Sequence, residues 1–217
     1  LVKSAFMDEE LQGHMNLTSA NSINVARFLP QAFYYFNAYA QAKKLGKADN
    51  LTICVPSGNF GNITAGLFAQ RMGLPIKHFI AANNANDIFY NYLLSGIYSP
   101  KASIQTIANA MDVGDPSNFA RILDLYKSSH AEICNPISGA TYSDDEIAAT
   151  MKKCYEQTSY VLDPHGACGY QALKDNLKEG ETGVFLETAH PAKFKEKVDA
   201  ILSTDIEIPT RLADFMK

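Results

Sequence analysis

The strongest chemical signal in this sequence is the run Ser57-Gly58-Asn59-Phe60-Gly61-Asn62. It joins a β-branched apolar stretch, Leu51 to Pro56, to a stretch from Ile63 to Met72 whose apolar spacing is helical. At such a turn the first backbone N–H groups of the helix lack partners and sit at the positive end of its dipole. A phosphate binds there without help from a lysine. Gly58 and Gly61 permit the left-handed or crowded backbone that lets those groups converge, and Ser57, Asn59 and Asn62 add side-chain donors. The run is neither a P-loop nor a dinucleotide fingerprint, because it lacks Gly-Lys-Ser/Thr and the G-x-G-x-x-G spacing. Glycines serving only a sharp strand-to-helix turn would leave the same pattern.

Two further groups could carry chemistry. Asn21, Ser22 and Asn24, followed by Arg27, put amides, a hydroxyl and a guanidinium at a helix start, a site for a second anion that Arg27 could grip with two hydrogen bonds. Simple helix capping with a solvent-facing arginine uses the same residues. Glu187-Thr188-Ala189-His190-Pro191 follows an apolar stretch. Ligands of open α/β sheets sit beyond the carboxyl ends of strands, which puts Thr188 and His190 in reach of one. A plain strand end with a surface histidine is the competing reading. His165, in Asp163-Pro164-His165-Gly166, has its own structural reading as a turn histidine.

These residues need elements to position them. Leu51 to Pro56 reads as a strand, Ile63 to Met72 as a helix closed by Gly73, and Ile76 to Ala82 as a second strand. Together they form a βαβ unit, which implies parallel pairing. Upstream, the spacing predicts a short helix over the first ten residues ending near Gly13, then a polar stretch from Ser19 to Asn24 capping a helix over 25–44. Apolar residues cover most of that second helix, so it should be largely buried, with Pro30 at its start or at a kink. Downstream, residues 85–129 read as helical with loops at Ser95-Gly96 and Gly114-Asp115-Pro116. Ser143 to Glu146 is a capping box for a helix from Ile147 to Thr158. An extended piece at Tyr160 to Leu162, a helix over Ala167 to Asn176, a strand from Gly183 to Thr188 and a closing helix to about Leu202 complete the chain. The alternation places the fold in the α/β class.

Composition sets the boundaries. The 217 residues are 47% hydrophobic and 19% charged, as expected of a packed globular chain, and the net charge of -4 offers no basis for binding nucleic acid or an acidic membrane. No apolar run approaches the roughly 18 residues of a bilayer span, and no charged-then-apolar leader is present. Cys54, Cys134, Cys154 and Cys168 form no CxxC pair and no metal-ligand spacing, consistent with free thiols in a reducing compartment and no metal. The N-x-T sequons at Asn16, Asn50 and Asn62 are read as chance. The opening Leu1-Val2-Lys3-Ser4-Ala5-Phe6 resembles the middle of a helix, as in a piece of a larger protein.

NSINVAR at 21–27, VPSGNFGN at 55–62, DPHGA at 163–167 and ETAHPAKF at 187–194 together resemble the threonine synthase family of fold-type-II pyridoxal-phosphate enzymes, in that family's order and over nearly the whole chain. The resemblance implies a three-layer, open, mostly parallel sheet of the tryptophan-synthase-β-like kind, incomplete in this chain. It implies that residues 57–62 cradle the phosphate of pyridoxal phosphate, that the Thr188 hydroxyl meets the pyridine nitrogen, and that Asn21, Ser22 and Arg27 hold the phosphate of O-phospho-L-homoserine. The implied reaction releases that phosphate, adds water and yields L-threonine, in a cytoplasmic enzyme that could be an oligomer. The family's Schiff-base lysine belongs to an upstream segment. Lys193 matches a different family position, so the chain is expected to hold cofactor and substrate without turning over alone. The alternatives are another lyase of this fold, such as a serine/threonine dehydratase, or an inert homologue that binds a phospho-ligand.

Overall fold

The computed structural model describes residues 5–18 and 21–215. Four strands, β1 (Leu51–Pro56), β2 (His78–Asn83), β3 (Ile137–Thr141) and β4 (Thr182–Phe185), form one sheet in the order β3-β2-β1-β4. Every pairing is parallel. β1 and β2 are central and almost continuously apolar, as strands covered on both faces must be.

One face of the sheet carries α1 (Val25–Phe28), α2 (Ala32–Lys44), α3 (Gly61–Arg71) and α4 (Ile88–Ser95), around a core built on Tyr35, Ile63, Phe79 and Phe89. The other face carries α5 (Asp144–Thr158), α6 (Pro164–Asn176) and α7 (Lys195–Leu202), around Ile80, Met151, Cys168 and Val198. This is the expected α/β architecture of three layers. The Ser143–Glu146 capping box is present with both of its hydrogen bonds.

Several expectations are corrected. The helix over 25–44 is broken: α1 ends at Phe28, Leu29–Gln31 forms a 3₁₀ turn around Pro30, and α2 then runs from Ala32. Proline offers no N–H to a continuous helix, so the break falls where the ring sits. Nor is this region largely buried. Phe28, Ala32 and Tyr35 face the core, whereas Phe33 and Tyr34 are 70% and 64% exposed. The sheet can cover only one side of a helix, and no described residue covers the other.

The middle of the chain is less helical than its spacing suggested. Between Ile97 and Asn118 the backbone is loop apart from a 3₁₀ turn at Asn109–Met111. β3 lies in a stretch whose short, glycine-containing sequence ISGAT gives little apolar signal. Tyr160 to Leu162 pairs with no strand, and β4 stops at Phe185 rather than Thr188. The N-terminal helix is found over Glu9–His14; the part of that reading on residues 1–4, and Ser19 and Ala20 of the capping stretch, lie outside the described residues.

Candidate functional site

β1 and β4 are parallel neighbours, with Cys54 opposite Phe185 and the Leu186 N–H bonded to the Cys54 carbonyl at 3.0 Å. Their carboxyl ends therefore emerge side by side. The chain leaving β1 is Ser57–Asn62, and the chain leaving β4 is Glu187–Thr188. Pairing alone thus brings together two motifs more than a hundred residues apart, in the crevice where ligands of open parallel sheets bind.

The first motif is a braced loop. The Ser57 N–H bonds the Ala82 carbonyl, Asn83 Nδ2 donates to the Ser57 carbonyl at 2.9 Å, and Asn62 Nδ2 donates back to the Pro56 carbonyl at 2.8 Å. Asn62 Oδ1 accepts the Ile63 N–H. The Asn59 side chain spans outward, donating to Ser22 Oγ at 2.8 Å and accepting the N–H and hydroxyl of Ser117. The polar side chains of the loop are therefore spent on its own shape. Left over are the backbone N–H groups of Gly58, Asn59, Phe60, Gly61 and Asn62, which bond to nothing among the described residues.

The glycines act by closeness rather than by handedness. The left-handed position is Phe60, with φ of 62°, and its ring is buried against Phe89 at 4.5 Å between centroids. A Cβ on Gly58 would fall 2.6 Å from Met111 Cα, and one on Gly61 would fall 2.7 Å from Ser22 Cβ. Neither clash involves the far end of a flexible side chain, so only glycine lets the loop close on its neighbours.

These groups open into a cavity of about 660 Å³, within the usual size of a small-molecule site. Residues 58–62 line one side and Glu187 and Thr188 another, with Pro56, Met111, Phe185 and Leu186 supplying apolar wall. Ser22, Gln31 and His165 also reach it. Buried Gln31 Oε1 and Glu187 Oε2 lack hydrogen-bond partners among the described residues. A row of five N–H groups without partners among the described residues suits a phosphate, and the apolar lining of the same cavity suits a ring, so the residues present fit a phosphorylated heterocycle.

Ser22 and Thr188, both expected site residues, meet this cavity; Asn21 and Arg27 do not line it. The Asn21 side chain accepts the Ile23 N–H in a local turn. Arg27 is exposed, its N–H bonding the Asn24 carbonyl and its guanidinium making no hydrogen bond or ion pair among the described residues. The cation that does hold this segment is Arg121, whose guanidinium donates to the Ser22 and Ile23 carbonyls and to Asn118 Oδ1 and lies over the Phe28 ring. Sequence reading missed Ser117 and Asn118, which brace the loop from 58 and 59 residues downstream, and Arg121, which holds Ser22 from 99 residues downstream. His190 caps a 3₁₀ turn at Pro191–Phe194 through Nδ1 and is exposed.

His165 is buried rather than in a surface turn, because α6 starts at Pro164 with Asp163 as its cap. The Asp-Pro pair, a capping residue before a proline at the first helical position, carried that signal. The Asp163 carboxylate accepts the N–H groups of His165 and Gly166 and contacts His165 Nδ1.

A fold of this kind, with a phosphate-suited loop after one central strand, defines a class that comparison of the sequence makes specific. The profile of the family described as pyridoxal-phosphate dependent enzyme matches residues 9–188, and the chain belongs to that family, whose cofactor is pyridoxal phosphate. A second profile, described as threonine synthase, C-terminal, matches residues 166–217. The chain is 50% identical over 212 residues to threonine synthase of Haemophilus influenzae, covering 98% of this chain and 49% of that protein. It superposes on the crystal structure of Escherichia coli threonine synthase with a TM-score of 0.90 at 46% identity, covering 98% of this chain and 49% of that one. Pyridoxal-phosphate-bound threonine synthase from Brucella melitensis matches with a TM-score of 0.87 at 36% identity, over 99% of this chain and 51% of that one. The chain thus spans about half the length of the relatives it matches. Serine racemase and threonine deaminase structures, at 20% identity or less, share the fold.

Proposed function

We propose that this chain is the cofactor- and substrate-phosphate-holding part of a threonine synthase, which converts O-phospho-L-homoserine and water to L-threonine and phosphate in the cytoplasm. In this reading it is a lyase acting on a phosphate ester, and the whole of residues 1–217 belongs to its C-terminal portion. The observation that carries the reading is the row of five N–H groups from Gly58 to Asn62, without partners among the described residues, in a loop that lines the same cavity as Thr188.

In this reading those N–H groups hold the phosphate of pyridoxal phosphate, and Ser57 and Asn62 keep the loop in shape. Thr188 presents its hydroxyl to the pyridine nitrogen. The cofactor would supply an electron sink for the substrate amino acid held at these residues. A hydroxyl at the nitrogen, unlike a carboxylate, does not hold it protonated, which tempers that sink. Ser22 faces the cavity from the Asn21–Arg27 segment, the proposed grip on the substrate phosphate. Arg27, exposed one turn away, would supply the charge, and the amide of Asn21 a further donor. In this reading the proton-shuttling lysine lies in an upstream segment outside residues 1–217.

Pyridoxal phosphate binding followed by ³¹P NMR tests the cradle. The phosphate resonance should shift with wild-type protein and remain that of the free cofactor with Gly58→Ala. An equal shift with both proteins would overturn the assignment.

A further inference from the structure

Glu187 is a carboxyl group whose surroundings are unusual for an ionised acid. Its Oε1 accepts the Asp163 N–H at 3.1 Å, while its buried Oε2 has no hydrogen-bond donor among the described residues. The group presses on Gly166 so closely that a Cβ there would lie 1.9 Å from Oε2. It also meets the Asp163 carboxyl side chain to side chain. Asp163, fully buried, is far better supplied: two backbone N–H groups at the start of α6, and the Nδ1 of His165 at 2.5 Å. His165 Nε2 accepts the Ala110 N–H at 3.1 Å, so the ring proton lies on Nδ1, pointing at Asp163. Two carboxyl groups in contact away from water do not both stay ionised. Three donors hold the charge on Asp163, which leaves the proton on Glu187.

We propose that Glu187 is a positioning residue that stands protonated beside Thr188 at neutral pH, hydrogen-bonded to the Asp163 carboxylate, and so withholds negative charge from the ring end of the cofactor cavity. This rests on the reading that the pyridine ring lies at Thr188. A carboxylate at that end would draw a proton onto the ring nitrogen; a neutral acid leaves the nitrogen to the Thr188 hydroxyl. Burial, joined by the charge of Asp163, pushes the Glu187 carboxyl up to about 8 although the Asp163 N–H pulls the other way. The titratable groups facing it are Asp163 and His165 at the start of α6 and Tyr160 in the preceding segment, whose hydroxyl is pushed up by burial and by Glu187.

The first test needs no variant and no cofactor. In protein labelled with ¹³C at glutamate carboxyls, one resonance should remain that of the protonated acid at neutral pH and titrate near 8. Glu187→Gln should remove that resonance. Ionisation of every glutamate in the ordinary carboxylate range would overturn the proposal whatever the cofactor does. The second test follows the absorbance of the cofactor-loaded protein, extended by the half its relatives possess, as pH rises. The wild-type spectrum should shift through the same pH range, and Glu187→Gln, which keeps a neutral donor toward Asp163, should hold the neutral-pH spectrum throughout. An identical pH response in the variant would overturn the tuning and leave the cofactor reading standing. Failure of the wild type to bind cofactor would overturn that reading and the ring-tuning claim with it, while the carboxyl titration would still be decided by the first test.

Discussion

Ser22 lies against Gly61, its Cβ 2.7 Å from the point a Gly61 side chain would occupy, and its hydroxyl accepts the Asn59 amide at 2.8 Å. The segment that leads into the first helices is thereby locked onto the loop that leads out of β1. Gly61→Ala should push these apart and misalign the N–H row. Overpacking of this kind costs about 1–3 kcal/mol. Pyridoxal phosphate affinity should fall roughly tenfold or more, since 1.4 kcal/mol is tenfold, while circular dichroism stays native; titration calorimetry reads the first and a far-ultraviolet spectrum the second.

Asn118 ties the same loop from the far side. Its buried amide donates to the Asn59 carbonyl at 2.9 Å and to Ser22 Oγ at 3.2 Å, and its carbonyl receives Arg121. Asn118→Ala leaves these partners unsatisfied, at about 1–3 kcal/mol. Thermal unfolding should show a fall of about 2–4 °C per kcal/mol lost, together with weakened cofactor binding. An unchanged midpoint would mean the loop stands without this brace.

Arg27 separates the two proposed phosphate sites. If it grips the substrate, Arg27→Ala in the protein extended by the half its relatives possess should raise the O-phospho-L-homoserine KM by at least about tenfold, the scale of a lost charge-assisted contact of about 1.5–3 kcal/mol. Cofactor binding should be untouched. Equal KM values for wild type and variant would place Arg27 on the plain solvent-facing surface and pass the substrate phosphate to other residues.

The raised Glu187 carboxyl also has a stability signature. Its folded-state proton affinity exceeds its unfolded one, so the folded protein binds more protons between the ordinary glutamate range and about 8. Stability from this group is present below that range and is lost as pH rises to about 8. Denaturant midpoints of the wild type should decline across this window, and Glu187→Gln should flatten the decline.

Much of this was legible in the residues. The βαβ unit, the α5 capping box and the loop at 57–62 are local patterns, and each is present where its sequence lies. Thr188 could be placed because an apolar strand followed by a polar residue fixes which end of a parallel sheet that residue occupies. Less legible was everything that depends on distant partners. ISGAT becomes β3 because β2 offers an open edge, not because of its own spacing. Asn118 and Arg121 come to Ser22 through a loop without periodicity, and the left-handed turn falls on Phe60 because its ring gains burial against Phe89. The exposure of Phe33 and Tyr34 was equally invisible, since apolar content reports the wish to be covered and not the cover itself.

If this chain holds the cofactor and substrate phosphates of a threonine synthase, joining it to the half its relatives possess and supplying pyridoxal phosphate and O-phospho-L-homoserine should restore turnover. Threonine and inorganic phosphate should appear in equal amounts, with Gly61→Ala lowering both at limiting cofactor and residues 1–217 alone producing neither. Cofactor binding without threonine, or turnover that Gly61→Ala leaves intact, would contradict it.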